Sequence, residues 1–222
     1  MRILSCGNAP WRFVAPTMSE LGAVAAGYLL GAIPFAYIIA RVRSGIDIRS
    51  VDIGNVGTGS VIRSVGLKEG LLTLAGDVGK GSAAILLAQL LGVGLHWVFA
   101  AGAVAILGHV YPVYIGFRGG QGVATAIGVF LALSLGATLL TLGVMGIVLL
   151  FNVRRGLSKR LFLVAACGAP FLPVFVYAID RSVQVALFAL AIVAFIAVRN
   201  LRRLRHPRSI TERLLEERER SD

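Results

Sequence analysis

Three glycine-rich segments carry most of the groups that could do chemistry in this chain. The first, DIRSVDIGNVGTGSVIRSVG (47–66), holds Arg49, Asn55 and Arg63 beside Gly54, Gly57 and Gly59. Glycines at that spacing suit tight turns whose successive N–H groups cradle an anion. Arg49 or Arg63 would close on the same anion with a fork of donors. The second, AGDVGKGSAA (75–84), is not a nucleotide-binding loop, because Leu74 and Gly81 stand where that motif needs Gly and Ser or Thr. Its Asp77 and Lys80 are three apart and share a face on a helix, so they either neutralise each other or work on a ligand. The third, GHVYPVYIGFRGGQGVATAIG (108–128), sets Gly119, Gly120 and Gly122 around Gln121, ahead of an apolar run. Backbone N–H groups at a helix start bind anions, and Arg118 adds charge. His109 is either a proton carrier near neutral pH or a satisfied structural group.

Together these residues imply an anionic, phosphorylated substrate. Other chemistries lack their signatures. There is no HExxH zinc pair, no GxSxG elbow and no His-rich tract. No histidine is followed five residues later by a carboxylate: Ala101 follows His96, Tyr114 follows His109 and Thr211 follows His206. Cys6 and Cys167 are far apart, which speaks against a disulfide framework or a metal cluster.

The elements that must position these groups are membrane helices. Of 222 residues, 57% are hydrophobic and 15% charged. A soluble domain carries about 25% charged residues, so this chain cannot be wet all round. At about 20 apolar residues per crossing, the pattern gives seven spans in an all-α integral membrane protein with cytoplasmic Gly-rich loops. They run from about 21 to 40, 71 to 95 and 98 to 115. Two short ones lie in 126–151, divided near Ser134–Gly136, and the last two are 161–179 and 183–198. Pro34 should kink the first, and Asp77 and Lys80 interrupt the second. Residues 41–70 form a loop with helical or re-entrant parts.

The net charge of +11 is sorted along the chain. Loop 41–70, loop 152–160 and the start of the tail hold most of the basic groups, whereas the alternate connections are nearly neutral. The positive-inside rule puts the basic loops and the C-terminus in the cytoplasm and the N-terminus outside. Anionic lipid, not nucleic acid, explains the excess, since no basic stretch is interleaved with stacking aromatics. The chain divides into an N-terminal extension (1–18), in which Met18 is a candidate start, a transmembrane domain (19–200) and a charged cytoplasmic tail (201–222). Ser209 and Glu212 form a candidate capping box for a short tail helix.

Several motifs resemble those of the bacterial acyl-phosphate:glycerol-3-phosphate acyltransferases, the PlsY family. They are GAIPFAYIIAR (31–41), DIRSVDIGNVGTGSVIRSVG (47–66), GDVGKG (76–81), GHVYPVYIGFRGGQGVAT (108–125) and, more weakly, RHPRSITERL (205–214). The likeness covers about residues 19–215. It implies a seven-span enzyme of the bacterial inner membrane, monomeric, with its site on the cytoplasmic face. The enzyme would move an acyl chain from acyl phosphate to glycerol 3-phosphate, giving lysophosphatidic acid for phospholipid synthesis. Arg63 matches the family's essential Arg, Gly119, Gly120 and Gly122 its phosphate loop, and His206 its tail His. Asn55, Asp77, Lys80, His109 and Thr125 also stand where the family has them. By this resemblance Arg63, Asn55, His109 and His206 are catalytic. Arg49, Gly54, Gly57, Asp77, Lys80, Arg118, Gly119, Gly120, Gln121, Gly122, Thr125 and Ser209 bind substrate. The chain departs from the pattern at Ile53, in place of an active-site Ser, at Gln121, in place of Lys, and at Ser209, in place of Asn. Thr58-Gly59-Ser60 replaces Ala-Thr-Asn. The alternatives are a divergent member with another acceptor or a lipid-binding role, and a small transporter.

Overall fold

The computed structural model describes residues 15–51, 56–151 and 167–205. Every regular element among them is helical. In order these are α1 (Met18–Ala32), α2 (Phe35–Ser44), α3 (Thr58–Ser64), α4 (Leu67–Leu90), α5 (Leu95–Val110), a 3-10 turn (Val113–Ile115), α6 (Val123–Leu133), α7 (Leu135–Phe151), α8 (Phe171–Asp180) and α9 (Val183–Arg205). Four stretches, Met18–Ser44, Leu67–Leu90, Leu95–Ile115 and Val183–Asn200, are long and apolar enough to cross a bilayer. α6, α7 and α8 are shorter apolar helices. These correspond to the expected spans, with the sixth beginning outside the described residues. Their outer faces are apolar too, with Leu29, Leu71, Leu86, Leu139 and Leu190 exposed. Only a lipid solvent makes that arrangement favourable.

Local sequence explains where the helices stop. Thr17 caps α1: its side chain accepts from the Glu20 N–H, and the Glu20 carboxylate accepts from the Thr17 N–H at 2.7 Å. Pro34 has no N–H to continue the ladder. The Ile33 N–H instead reaches the Leu30 carbonyl at 3.2 Å, and the helix restarts at Phe35. The expected kink is thus a complete break. α2 ends at Gly45, whose φ of 67° a side chain would strain. Ser134 divides α6 from α7 at the expected place. The second span differs from expectation: α4 begins at Leu67, and only α3 and the end of α2 give regular structure to the preceding loop.

Small residues hold the bundle together. On α1, Gly27 faces the Ala101 backbone and Gly31 faces that of Ala105, so α1 and α5 run in the same direction. Gly108 returns the contact against the Tyr28 carbonyl. α4 and α6 cross where Gly81 meets the Thr125 carbonyl and Gly128 meets that of Val78. The Ser82 hydroxyl seals this crossing by donating to the Gly128 carbonyl at 2.8 Å. Lipid tails are as apolar as leucine, so close backbone approach and its dispersion energy drive such packing. The four-residue spacing of Gly27 and Gly31 was the available sequence signal for the first interface. Gly31→Leu is expected to abolish monodisperse folded protein on size-exclusion chromatography in detergent. Gly22→Leu, on the same helix with nothing within 4 Å, is expected to behave as wild type. Equal behaviour of the two variants would refute this account of the interface.

Candidate active site

A buried charge cluster lies where the broken first span, α4 and α5 meet. Asp77 and Lys80, one turn apart on α4, form an ion pair of 2.7 Å with side chains 2% and 3% exposed. The Lys80 ammonium also donates to the Ile33 carbonyl at 2.8 Å. That carbonyl lies in the break that Pro34 creates, so the lysine occupies an acceptor that a continuous helix would have used internally. The Phe35 ring lies 5.8 Å from the ammonium. On the other side, His109 Nδ1 lies 3.3 Å from Asp77 Oδ1. One carboxylate thus faces a lysine from its own helix and a histidine from the end of α5. Asp77 lies nine residues beyond Lys68, about 14 Å along the helix axis at 1.5 Å per residue. Charges at that depth survive because each has a partner.

The third glycine segment packs directly on this cluster. The Gly120 N–H donates to the His109 carbonyl at 3.1 Å. A Cβ on Gly120 would overlap His109 Nε2 and the Val56 carbonyl, and one on Gly119 would overlap the His109 carbonyl and Pro112. Close approach therefore requires both glycines. Gly122, at φ 90°, precedes the first turn of α6. A small pocket is bounded by Pro34, Val56, Asp77, Lys80, His109 and Gly120, which brings all three sequence motifs to one place.

The remaining candidates are placed as follows. Gln121 and Arg118 are exposed on the loop. Thr125 is fully buried at the α4–α6 crossing, and its hydroxyl has no hydrogen-bond partner among the described residues. Gly57 precedes α3, and Arg63 lies in the last turn of that helix, donating to the Ser60 hydroxyl at 3.3 Å. Arg49 forks onto Asp47, with Nη2–Oδ2 at 2.6 Å and Nε–Oδ1 at 3.0 Å, and stacks 5.1 Å above the Tyr37 ring. The hydrogen-bonding Arg49 guanidinium holds the Asp47 carboxyl down at about 2, against the opposing effect of desolvation. Ile53, Gly54, Asn55, His206 and Ser209, the 152–160 loop, residues 1–14 and the expected tail helix lie outside the described residues.

The profile of the family described as glycerol-3-phosphate acyltransferase matches residues 21–211. The chain belongs to that family. A glycerol-3-phosphate acyltransferase of Geobacter sulfurreducens is 39% identical over 191 residues, covering 85% of this chain and 95% of the relative. One from Anaeromyxobacter dehalogenans is 39% identical over 197 residues, covering 86% and 96%. Among solved structures, an integral membrane glycerol 3-phosphate acyltransferase, PlsY, in its glycerol 3-phosphate form is similar. It has a TM-score of 0.73 and 35% identity, over 84% of this chain and 92% of that one. Its lysophosphatidic acid form gives 0.69 and 34%, over 84% and 91%. The chain is therefore an acyltransferase of an integral membrane family, as its motifs implied.

Three partners in this candidate site escaped sequence reasoning. The Ile33 carbonyl is a backbone group, invisible to residue-type arguments. Tyr111 accepts from the Tyr28 hydroxyl at its carbonyl (2.9 Å) and from Arg199 at its own hydroxyl (3.1 Å). Arg199 lies outside all of the motifs that the sequence singles out. Its place at the end of the last apolar run was the available signal.

Proposed function

We propose that this acyltransferase moves an acyl group from an acyl phosphate to the first hydroxyl of glycerol 3-phosphate, giving lysophosphatidic acid and phosphate. One observation carries the reading: 35% identity over 84% of the chain to an enzyme solved in its glycerol 3-phosphate form. The acceptor oxygen attacks the carbonyl carbon of the acyl phosphate. The bond from that carbon to the bridging phosphate oxygen breaks. The phosphate leaves with the electron pair and takes up the hydroxyl proton, so no side chain need act as general base. Arg63, with Asn55 and His206, stabilises charge on the acyl phosphate during attack. Arg118 and the Gly119–Gly122 loop hold the acceptor's phosphate, assisted by Arg49, Gly54, Gly57, Gln121, Thr125 and Ser209. Asp77, Lys80 and His109 fix the loop from beneath. No metal or cofactor enters the reaction.

An apolar cavity of about 250 Å³ between α6, α7, α8 and α9 supports the donor assignment. Ile127, Phe130, Leu142, Met145 and Ile192 line it, with Asn200 at the same wall. Such a space suits a hydrocarbon chain. The enzyme works as a monomer in the bacterial inner membrane, with its N-terminus outside and its Gly-rich loops and C-terminus in the cytoplasm. Residues 1–18 precede the catalytic domain and 201–222 follow it, although Thr17 belongs with α1 as its cap.

The test is complementation of a bacterium lacking its glycerol-3-phosphate acyltransferase, together with purified enzyme supplied with acyl phosphate and glycerol 3-phosphate. Growth and labelled lysophosphatidic acid are expected. A second reading, another acceptor, is favoured by Ile53 and Gln121. Acyl phosphate consumed with other acceptors but not with glycerol 3-phosphate would establish it in place of the first.

A further inference from the structure

Arg199 has no role in the motifs that define the site, yet among the described residues it is a polar side chain by which the last helix grips the glycine loop. Its Nη2 donates to the Gly120 carbonyl at 3.2 Å and its Nη1 to the Tyr111 hydroxyl at 3.1 Å. The guanidinium lies 5.0 Å over the Tyr111 ring. Tyr111 is itself tied to α1 through the Tyr28 hydroxyl. The contact therefore joins α1, the loop and α9 around Gly120, which also rests on His109. The next loop residue, Gln121, is exposed and neutral. Arg118 is the loop's own cation and is exposed to solvent or headgroups, where its field is screened. Arg199 is partly buried, so its charge acts on the loop through a lower dielectric.

A further observation argues that Arg199 is more than a brace. Its Nε is buried and has no hydrogen-bond partner among the described residues. An unmade hydrogen bond on a charged donor opposes stability. A brace needing only the two terminal nitrogens would do better with an uncharged donor. From the geometry we infer that Arg199 is the positioning residue of the glycine loop and supplies the positive charge that Gln121 does not. In doing so it sets the loop's affinity for a phosphomonoester dianion. This rests on the reading that the loop holds the acceptor's phosphate.

The test uses the full-length enzyme in detergent or proteoliposomes, with glycerol 3-phosphate as the variable substrate. Wild-type turnover is measured first, and its absence would refute the functional reading itself. With wild type active, Arg199→Gln is expected to raise KM for glycerol 3-phosphate about tenfold or more, as for loss of a charge-assisted contact. Its kcat should change little. Arg199→Lys should fall between the two. Adding Gln121→Lys to Arg199→Gln should restore most of the affinity, because it returns a cation to the residue beside Gly120. An unchanged KM in Arg199→Gln overturns the assignment. So does a raised KM that Gln121→Lys fails to lower, since Arg199 would then be a structural brace. Thermal unfolding of each variant separates a loss of fold from a loss of affinity.

Discussion

Asp77→Leu is expected to leave little folded protein, with a melting temperature in detergent lowered by about 10 °C or more. The carboxylate pairs with Lys80 at 2.7 Å and faces His109 at 3.3 Å, all three side chains being almost fully buried. Removing it leaves the lysine with the Ile33 carbonyl but no counter-charge. Breaking one side of a buried pair costs about 3–5 kcal/mol, and a chain of this size loses about 2–4 °C per kcal/mol. The double variant Asp77→Leu/Lys80→Met removes both charges together. Apolar replacement of a buried pair is often neutral or stabilising by about 1–4 kcal/mol, so the double variant should melt above the single one. Activity should not return with stability, because His109 and the Gly119–Gly120 loop still lack the carboxylate beneath them. A single variant that melts like wild type would show that the cluster carries no structural load. A double variant with full activity would show that the loop does not depend on it.

This contrast explains why a membrane protein keeps ions at such depth. Apolar residues could hold α4 against α5 equally well. They could not hold the Ile33 carbonyl and the His109 ring in one register, because each needs a directional polar partner. The cluster converts a helix break, a helix end and a loop into a single rigid frame. The glycines on that frame are there partly because His109 and the α5 carbonyls leave no room for a Cβ. Glycine composition alone had suggested only approach to a ligand.

How far the sequence reached follows from this geometry. Local chemistry was legible in part: Pro34 was expected to disturb the first span, though as a kink and not a break, the Ser134 division was expected, and so was the shared face of Asp77 and Lys80. The motifs' convergence was legible only as a resemblance. What stayed hidden were contacts that span the chain and involve backbone atoms. The Lys80 bond to Ile33 crosses 47 positions, and that from Arg199 to Gly120 crosses 79. Neither carbonyl belongs to a side-chain motif. The start of α4 was misplaced because Lys68 and Glu69 read as loop, although Glu69 in the first turn suits a helix N-terminus. Arg49 illustrates the converse: its type allowed an anion grip, and the structure shows it engaged by Asp47 two residues away.

Arg63→Ala separates chemistry from frame. It is expected to lower lysophosphatidic acid formation by about 10²–10³-fold, the usual effect of removing one donor that stabilises developing charge. Its melting temperature should stay within a few degrees of wild type. α3 is docked by other groups: Val61 is fully buried, and the Ile62 side chain packs on Gly70 of α4. Arg63 itself is exposed in the last turn and hydrogen-bonded to Ser60. Arg63→Lys keeps the charge but loses the planar fork, so it should recover only part of the rate. If Arg63 stabilises the phosphate leaving from the donor, the Ala variant should lose kcat at saturating glycerol 3-phosphate. If it merely held the acceptor, KM for glycerol 3-phosphate would rise and kcat would survive. Retention of more than about a tenth of wild-type kcat by a stable Ala variant would remove Arg63 from the reacting centre. The charge on the donor would then have to be met from the first glycine segment's backbone or from His206.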